Sequence, residues 1–228
     1  MLNIHISIYP STIIIVLIPP SSSPFSSSRK IAEDLNTPFS KINNGCNSKT
    51  TKKTLIDIFA GAGGNAIAFA LSGKWDRIIA IERDVPTLAC AQHNAEVYGV
   101  LDAITWVHGD SFEYLSRAKG DHHVDLDPAI RIVDPAATTI FASPPWGGVG
   151  YRDHDVFDLS TMHPYNLDHL HRACSPMEHV LFLPRTSDIR QIAKLVPDGT
   201  NINVVQYCME GASKAMVAYI PAAGASET

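Results

Sequence analysis

Residues 57–65 read Asp57-Ile58-Phe59-Ala60-Gly61-Ala62-Gly63-Gly64-Asn65, and the fold is decided by this stretch. The apolar run over 55–60 predicts a strand, the glycines predict a tight turn, and helical periodicity over 65–72 predicts a helix opening from it. A strand running through glycines into a helix opens an α/β sheet, whose ligands lie outside the carboxyl ends of the strands.

The same alternation continues outward. Residues 78–81, 104–107, 138–142 and 180–183 read as strands, and residues 86–98 and 187–196 as helices. Asp84 suits an N-cap, Pro86 an early helical position and Gly99 a C-terminal cap. Alternation of this kind predicts an α/β fold with a mostly parallel sheet and helices on both faces. The end of the chain breaks it: 201–209 and 215–220, around Glu210-Gly211-Ala212, predict an antiparallel hairpin.

Upstream of Thr54 the chain reads differently. Residues 13–18 are an aliphatic run far short of the roughly 20 needed to span a bilayer. No basic segment precedes the run, and Pro19-Pro20 and a serine-rich stretch follow it, which does not fit a signal peptide. Residues 1–28 are therefore expected to be disordered or adventitious, residues 29–53 a short helix at 30–35 with a basic linker, and residues 54–228 the functional domain.

The chain has 228 residues, 45% of them hydrophobic and 18% charged, enough for one globular domain with a sizeable core. Its net charge of −5 excludes nucleic-acid binding by bulk electrostatics, and the distribution is uneven: residues 29–53 carry a local +4, residues 54–228 a local −9. A polyanion has to be held at a local site. Cys46, Cys90, Cys174 and Cys208 are widely spaced and fit no zinc pattern, as reduced thiols of a nuclear or cytosolic protein would be. No metal is expected: His122-His123 and the pair His169 and His171 lack a matching ligand constellation.

The glycine turn fits the dinucleotide fingerprint poorly, because Gly64-Asn65 follows the G-x-G at once and a pyrophosphate disfavours the neighbouring carboxylate of Asp57. A ligand with a cationic amino group is favoured by it, which points to S-adenosylmethionine. Glu82 ends the second strand, where a carboxylate suits bidentate acceptance from a ribose diol. In Gly109-Asp110-Ser111-Phe112, after the third strand, Asp110 suits an adenine amine and Phe112 the ring. Three acids at three successive strand ends predict a nucleoside site, with Asn65 and Ser111 beside it.

After the fourth strand comes Ser143-Pro144-Pro145-Trp146-Gly147-Gly148. Pro-Pro fixes the backbone and Gly-Gly frees it, so Trp146 is expected on a rigid ledge. The layout is similar to the Asn-Pro-Pro-aromatic motif of methyltransferases acting on exocyclic base amines, where polar groups align the amine and the ring stacks on the base.

These residues, with Asn94-Ala95-Glu96-Val97-Tyr98-Gly99, Phe182-Leu183-Pro184-Arg185 and the terminal hairpin, resemble the trimethylguanosine synthase family of cap hypermethylases. The resemblance runs from about Lys30 to Ile220, and serine before Pro-Pro-Trp is specific to it. It implies a Rossmann-like class I methyltransferase fold, a seven-stranded sheet, and two successive methylations of the exocyclic amine of 7-methylguanosine caps on small nuclear and nucleolar RNAs. It also implies a nuclear, nucleolar or partly cytoplasmic protein that meets small ribonucleoprotein proteins and no membrane.

By the resemblance, Asp57, Gly61 and Gly63 line the S-adenosylmethionine site, Glu82 holds its ribose and Asp110 its adenine. Ser143, Pro144 and Trp146 are the catalytic positions, Trp146 stacking on 7-methylguanine, while Tyr151, Arg185 and Lys214 fall near the cap phosphates. The chain departs from the family where Val149-Gly150 replaces Pro-Asp, in an acidic stretch over 119–137, and upstream, where only Lys30-Ile31-Ala32-Glu33 resembles the end of the family's amino-terminal extension. A methyltransferase for guanine or adenine amines in ribosomal or other RNA, and an inactive module that binds caps or proteins, remain the rival readings.

Overall fold

The computed structural model describes residues 3–9, 12–18, 54–119, 125–148, 155–209 and 212–224, with the backbone alone at 3–9, 12–18, 209, 212 and 214. The chain divides into two compact units, Pro24–Phe141 and Met1–Ser23 with Ala142–Thr228.

In the first unit four strands, β3 (Thr54–Asp57), β4 (Arg77–Glu82), β5 (Thr105–His108) and β6 (Thr138–Ala142), pair in parallel in the order β6-β3-β4-β5. Central parallel strands are covered on both faces, so their sequences are apolar throughout: Leu55, Ile56, Ile79, Ala80, Ile81, Ile140 and Phe141 have no exposed surface. Helix α1 (Gly64–Leu71) follows β3, α2 (Val85–Val97) follows β4 and α3 (Ser111–Lys119) follows β5. Phe69 of α1 meets Phe141 of β6 edge to face at 5.1 Å. The Asp84 side chain accepts from the Thr87 amide and caps α2, as its sequence predicts.

Strand β3 ends three residues sooner than the apolar run. Main-chain bonds from Ile58 N–H to the Phe141 carbonyl and from Ala60 N–H to the Ile81 carbonyl continue the pairing while the backbone bends toward the glycines. The acidic stretch is structural over its described part: Asp127 caps a helical turn at Pro128–Ile130 and Asp134 one at Pro135–Ala137. Tyr114 of α3 donates to the Ile130 carbonyl at 2.6 Å and fastens the stretch to the unit.

In the second unit every described strand pair is antiparallel. Its order is β2-β1-β8-β9-β7, with β7 at Glu178–Leu183, β8 at Ile202–Met209 and β9 at Ala212–Ile220. The expected terminal hairpin is β8 and β9. Strands β1 (Asn3–Tyr9) and β2 (Thr12–Ile18) correct the expectation that residues 1–28 form no element: they make a hairpin whose first strand pairs along β8. The missed signal is period-two alternation, with Ile4, Ile6 and Ile8 between Asn3, His5 and Ser7, followed by a strongly β-forming run. Nine strands are thus described, seven of them the expected set and two from this hairpin.

Helices α4 (Leu167–Cys174) and α5 (Ile189–Ala193) belong to this unit, the former capped by Asn166 and burying Leu167, Leu170 and Cys174. Helix α5 is shorter than the 187–196 predicted, since Asp188 caps it only there and Lys194 ends it. The linker helix expected at 30–35 lies outside the described residues. No helix among the described residues is long and apolar enough to cross a membrane.

Candidate functional site

The first unit gathers the residues expected around the cofactor. Asp57, the last residue of β3, is fully buried; its Oδ1 accepts from the Phe59 amide at 3.2 Å, while Oδ2 has no hydrogen-bond partner among the described residues. Burial pushes the carboxyl up to about 7; the Phe59 amide opposes the shift and the nearby Glu82 charge adds to it. An unpartnered carboxylate oxygen is costly in a protein interior, and an ammonium group would satisfy it.

The two glycines of the turn differ in what they permit. Gly63 has φ +87°, and a Cβ there would meet the Ala91 backbone at 3.2 Å, so only glycine lets the turn lie against α2. Gly61 has φ +53°, and a Cβ there would point into open space. The loop is fastened from two sides. Glu82 Oε2 accepts from the Gly61 amide and Oε1 from the Asp84 amide, both at 2.9 Å, and Asn94 Nδ2 donates to the Ala62 carbonyl at 3.0 Å. Glu82 therefore ties the glycine turn to the start of α2. Asn65 is half-buried in the first turn of α1.

Asp110 Oδ1 accepts from the amides of Phe112 and Glu113 and so caps α3. Phe112 is half-buried and meets Phe59 edge to face at 6.0 Å, an aromatic pair whose Phe59 member sequence reasoning did not single out. The Ser111 hydroxyl donates to the Ile58 carbonyl from a buried position, so it fastens α3 to the end of β3. A buried carboxylate with an unpartnered oxygen, open space over Gly61 and two further acids at strand ends fit the amino acid, ribose and adenine moieties of S-adenosylmethionine.

The second unit holds the residues expected around the acceptor. Ser143 is half-buried, Pro144 buried and Pro145 exposed, followed by Gly147 and Gly148 at φ +90° and +91°, as the ledge requires. The Trp146 indole N–H donates to the Phe182 carbonyl at 3.1 Å, and the two rings stack at 5.7 Å with 18° between their planes. Phe182 was legible only as part of a motif; the structure sets its ring and carbonyl against the indole. Arg185, three residues on, is exposed. Lys214 lies within β9, its side chain outside the description, and Tyr151 lies outside the described residues.

The model of the RNA cap guanine-N2 methyltransferases matches residues 52–223, three-quarters of the chain, from β3 through the terminal hairpin. The chain belongs to this family. Among curated relatives, the trimethylguanosine synthase of Schizosaccharomyces pombe is 30% identical over 75% of the chain and 66% of its own length. That of Saccharomyces cerevisiae is 29% identical over 61% of the chain and 41% of its own length. The chain thus spans just under two thirds, or less than half, of these relatives. A solved S-adenosylmethionine-dependent methyltransferase of Agrobacterium tumefaciens shares the fold, with a TM-score of 0.51 at 12% identity over 86% of the chain and 60% of its own. With four parallel strands in one unit and β7 to β9 in the other, the chain has a Rossmann-like α/β fold.

The histidines that invited a metal reading have other contacts: His169 stacks on Tyr165, and His171 Nδ1 lies 3.0 Å from His179 Nε2. Among the described residues no group of three or more histidine, cysteine or acidic side chains is placed to hold a metal ion. His122-His123 lies outside them.

Proposed function

We propose that this chain is a cap hypermethylase: it transfers methyl groups from S-adenosylmethionine to the exocyclic N2 amine of 7-methylguanosine caps on small nuclear and nucleolar RNAs, giving 2,2,7-trimethylguanosine. The observation that carries the reading is the Ser143-Pro144-Pro145-Trp146 ledge with its indole fixed by Phe182, in a chain of the cap guanine-N2 methyltransferase family.

When bound, S-adenosylmethionine supplies a methyl group on an electrophilic sulfonium. Asp57 Oδ2 takes its amino group, Glu82 its ribose hydroxyls and Asp110 its adenine amine, with Phe112 and Phe59 beside the ring. The indole face of Trp146 takes the base. A 7-methylguanine is cationic, and charge over an indole contributes roughly 0.5 to 2 kcal/mol, a preference over neutral guanine of about two- to thirtyfold. The Ser143 hydroxyl and the Pro144 carbonyl accept from the N2 amine and aim its lone pair. No strong general base stands among the assigned residues. An aryl amine attacking a methyl sulfonium would need chiefly alignment: the N–C bond forms as the S–C bond breaks, the thioether leaves as S-adenosylhomocysteine and the proton goes to water. Arg185, Lys214 and Tyr151 take the cap phosphates, which lets an acidic protein hold RNA at one charged end. The setting that fits such a substrate is the nucleus, among small ribonucleoproteins.

The test is calorimetric titration with S-adenosylmethionine, followed by methyl transfer to a 7-methylguanosine cap analogue, an unmethylated cap and uncapped RNA. Transfer restricted to the methylated cap supports the reading. Transfer to uncapped RNA points instead to a base methyltransferase of another RNA, and binding without transfer to an inactive module.

A further inference from the structure

Three segments of the second unit meet at one side chain. Gln206 of β8 uses its amide nitrogen twice: Nε2 donates to the Arg185 carbonyl at 3.3 Å and to the Ser213 hydroxyl of β9 at 2.7 Å. An amide nitrogen carries two hydrogens, so both bonds form together. The register of the hairpin breaks at the same place. Tyr207 pairs with Ala215 and Cys208 with Ser213, so Lys214 is the extra residue of a β-bulge, left without a partner on β8. Bulges interrupt a ladder to re-aim a residue, and this one falls beside the hydroxyl that Gln206 holds.

From this juxtaposition we infer that Gln206 is a positioning residue for phosphate recognition: it locks the Arg185 segment to the bulged strand at Ser213-Lys214, fixing the spacing of the two cations that meet the 5′-5′ triphosphate of the cap. The inference rests on the proposed cap activity and assigns Gln206 no contact with substrate. The β7–β9 ladder brings the two segments together but its last pair is Leu183–Met216, two residues short of both Arg185, in an exposed segment after β7, and Lys214, in the bulge of β9. The tie from β8 spans this unladdered end, and a triphosphate rewards cations held at matching spacing because less ordering remains to be done on binding.

The experiment compares the wild type with Gln206→Leu and Ser213→Ala, using the capped dinucleotide m7GpppA and the nucleoside 7-methylguanosine as acceptors. Gln206→Leu should raise KM for m7GpppA roughly tenfold, leaving kcat and the KM for the nucleoside in place. Ser213→Ala, which removes one acceptor and little volume, should shift KM the same way but less. In Gln206→Leu combined with Arg185→Ala, the Gln206 substitution should add little further, because it acts through that cation. Equal loss on both acceptors, or an unchanged KM for m7GpppA, overturns the positioning role. A wild type that methylates neither acceptor overturns the cap activity itself, and one with equal KM for both overturns phosphate recognition.

Discussion

Phe182 holds the indole of Trp146 in two ways: the indole N–H donates to the Phe182 carbonyl at 3.1 Å, and its ring lies 18° from coplanar with the Phe182 ring at 5.7 Å. The hydrogen bond sets the in-plane direction of the indole and the stack sets its tilt. A base received on this surface therefore meets a plane already fixed, and its ordering cost is reduced.

Removing that support should weaken acceptor binding without touching the cofactor. Phe182→Leu keeps the main-chain carbonyl and an apolar side chain but loses the ring. An aromatic pair is worth ~0.5 to 1.5 kcal/mol beyond its buried area, so KM for a methylated cap should rise roughly two- to tenfold. Steady-state kinetics with m7GpppA, beside S-adenosylmethionine affinity by calorimetry, separates the two effects.

Asp57 makes cofactor binding depend on pH. Its folded-state carboxyl titrates near 7, above the 3.8 of an unperturbed aspartate, so below 7 the free protein holds a proton there that an incoming ammonium must displace. Affinity for S-adenosylmethionine should rise as pH goes from 5 to about 7 and then level off, with about one proton released per binding event at the acid end. Calorimetry in buffers of different ionisation enthalpy measures that proton directly. The same shift makes the free protein less stable as pH rises from about 4 through 7, because folding then buries a carboxyl that is ionised in the unfolded chain. Asp57→Asn should flatten this part of the stability profile and weaken cofactor binding.

The two glycines of the turn predict opposite faults. At Gly63 a methyl group meets the Ala91 backbone at 3.2 Å on a backbone with φ +87°, so Gly63→Ala should cost roughly 1 to 3 kcal/mol of folding stability. At Gly61 the added Cβ enters open space at φ +53°, and Gly61→Ala should cost only about 1 kcal/mol of stability while reducing cofactor affinity by occupying the ligand's space. Denaturant unfolding and calorimetry on the same two variants give the comparison.

Ser111 should behave as a structural residue. Its buried hydroxyl donates to the Ile58 carbonyl, and Ser111→Ala removes that bond at a cost of about 1 kcal/mol. Urea unfolding should register the loss with little change in S-adenosylmethionine affinity, whereas a large change in affinity would place the hydroxyl against the ligand.

The sequence made the parallel strands legible because strands covered on both faces must be apolar, and made the glycine turn legible because positive φ demands glycine. Asp57, Glu82 and Asp110 stood out since carboxylates at successive strand ends have a topological meaning. What stayed hidden depends on partners distant in sequence. Phe182 is an ordinary strand residue until the indole lies on it, and Gln206 an ordinary polar one until its amide reaches Arg185 and Ser213. Strand β1 carried an alternating pattern that its proline- and serine-rich flank obscured, and pairing along β8 completes it. The acidic stretch after α3 was opaque because Asp127 and Asp134 act as local caps, which charge alone does not reveal.

Selective methylation of an already methylated cap is what distinguishes a cap hypermethylase from other base methyltransferases. Its most direct test is transfer of isotope-labelled methyl from S-adenosylmethionine to m7GpppA and to GpppA in parallel, with products digested and resolved by mass spectrometry. We predict that m7GpppA receives one and then two methyl groups on the guanine N2 and that GpppA is methylated about two- to thirtyfold more slowly. Equal transfer to both caps, or no transfer to either by protein that binds S-adenosylmethionine, would contradict it.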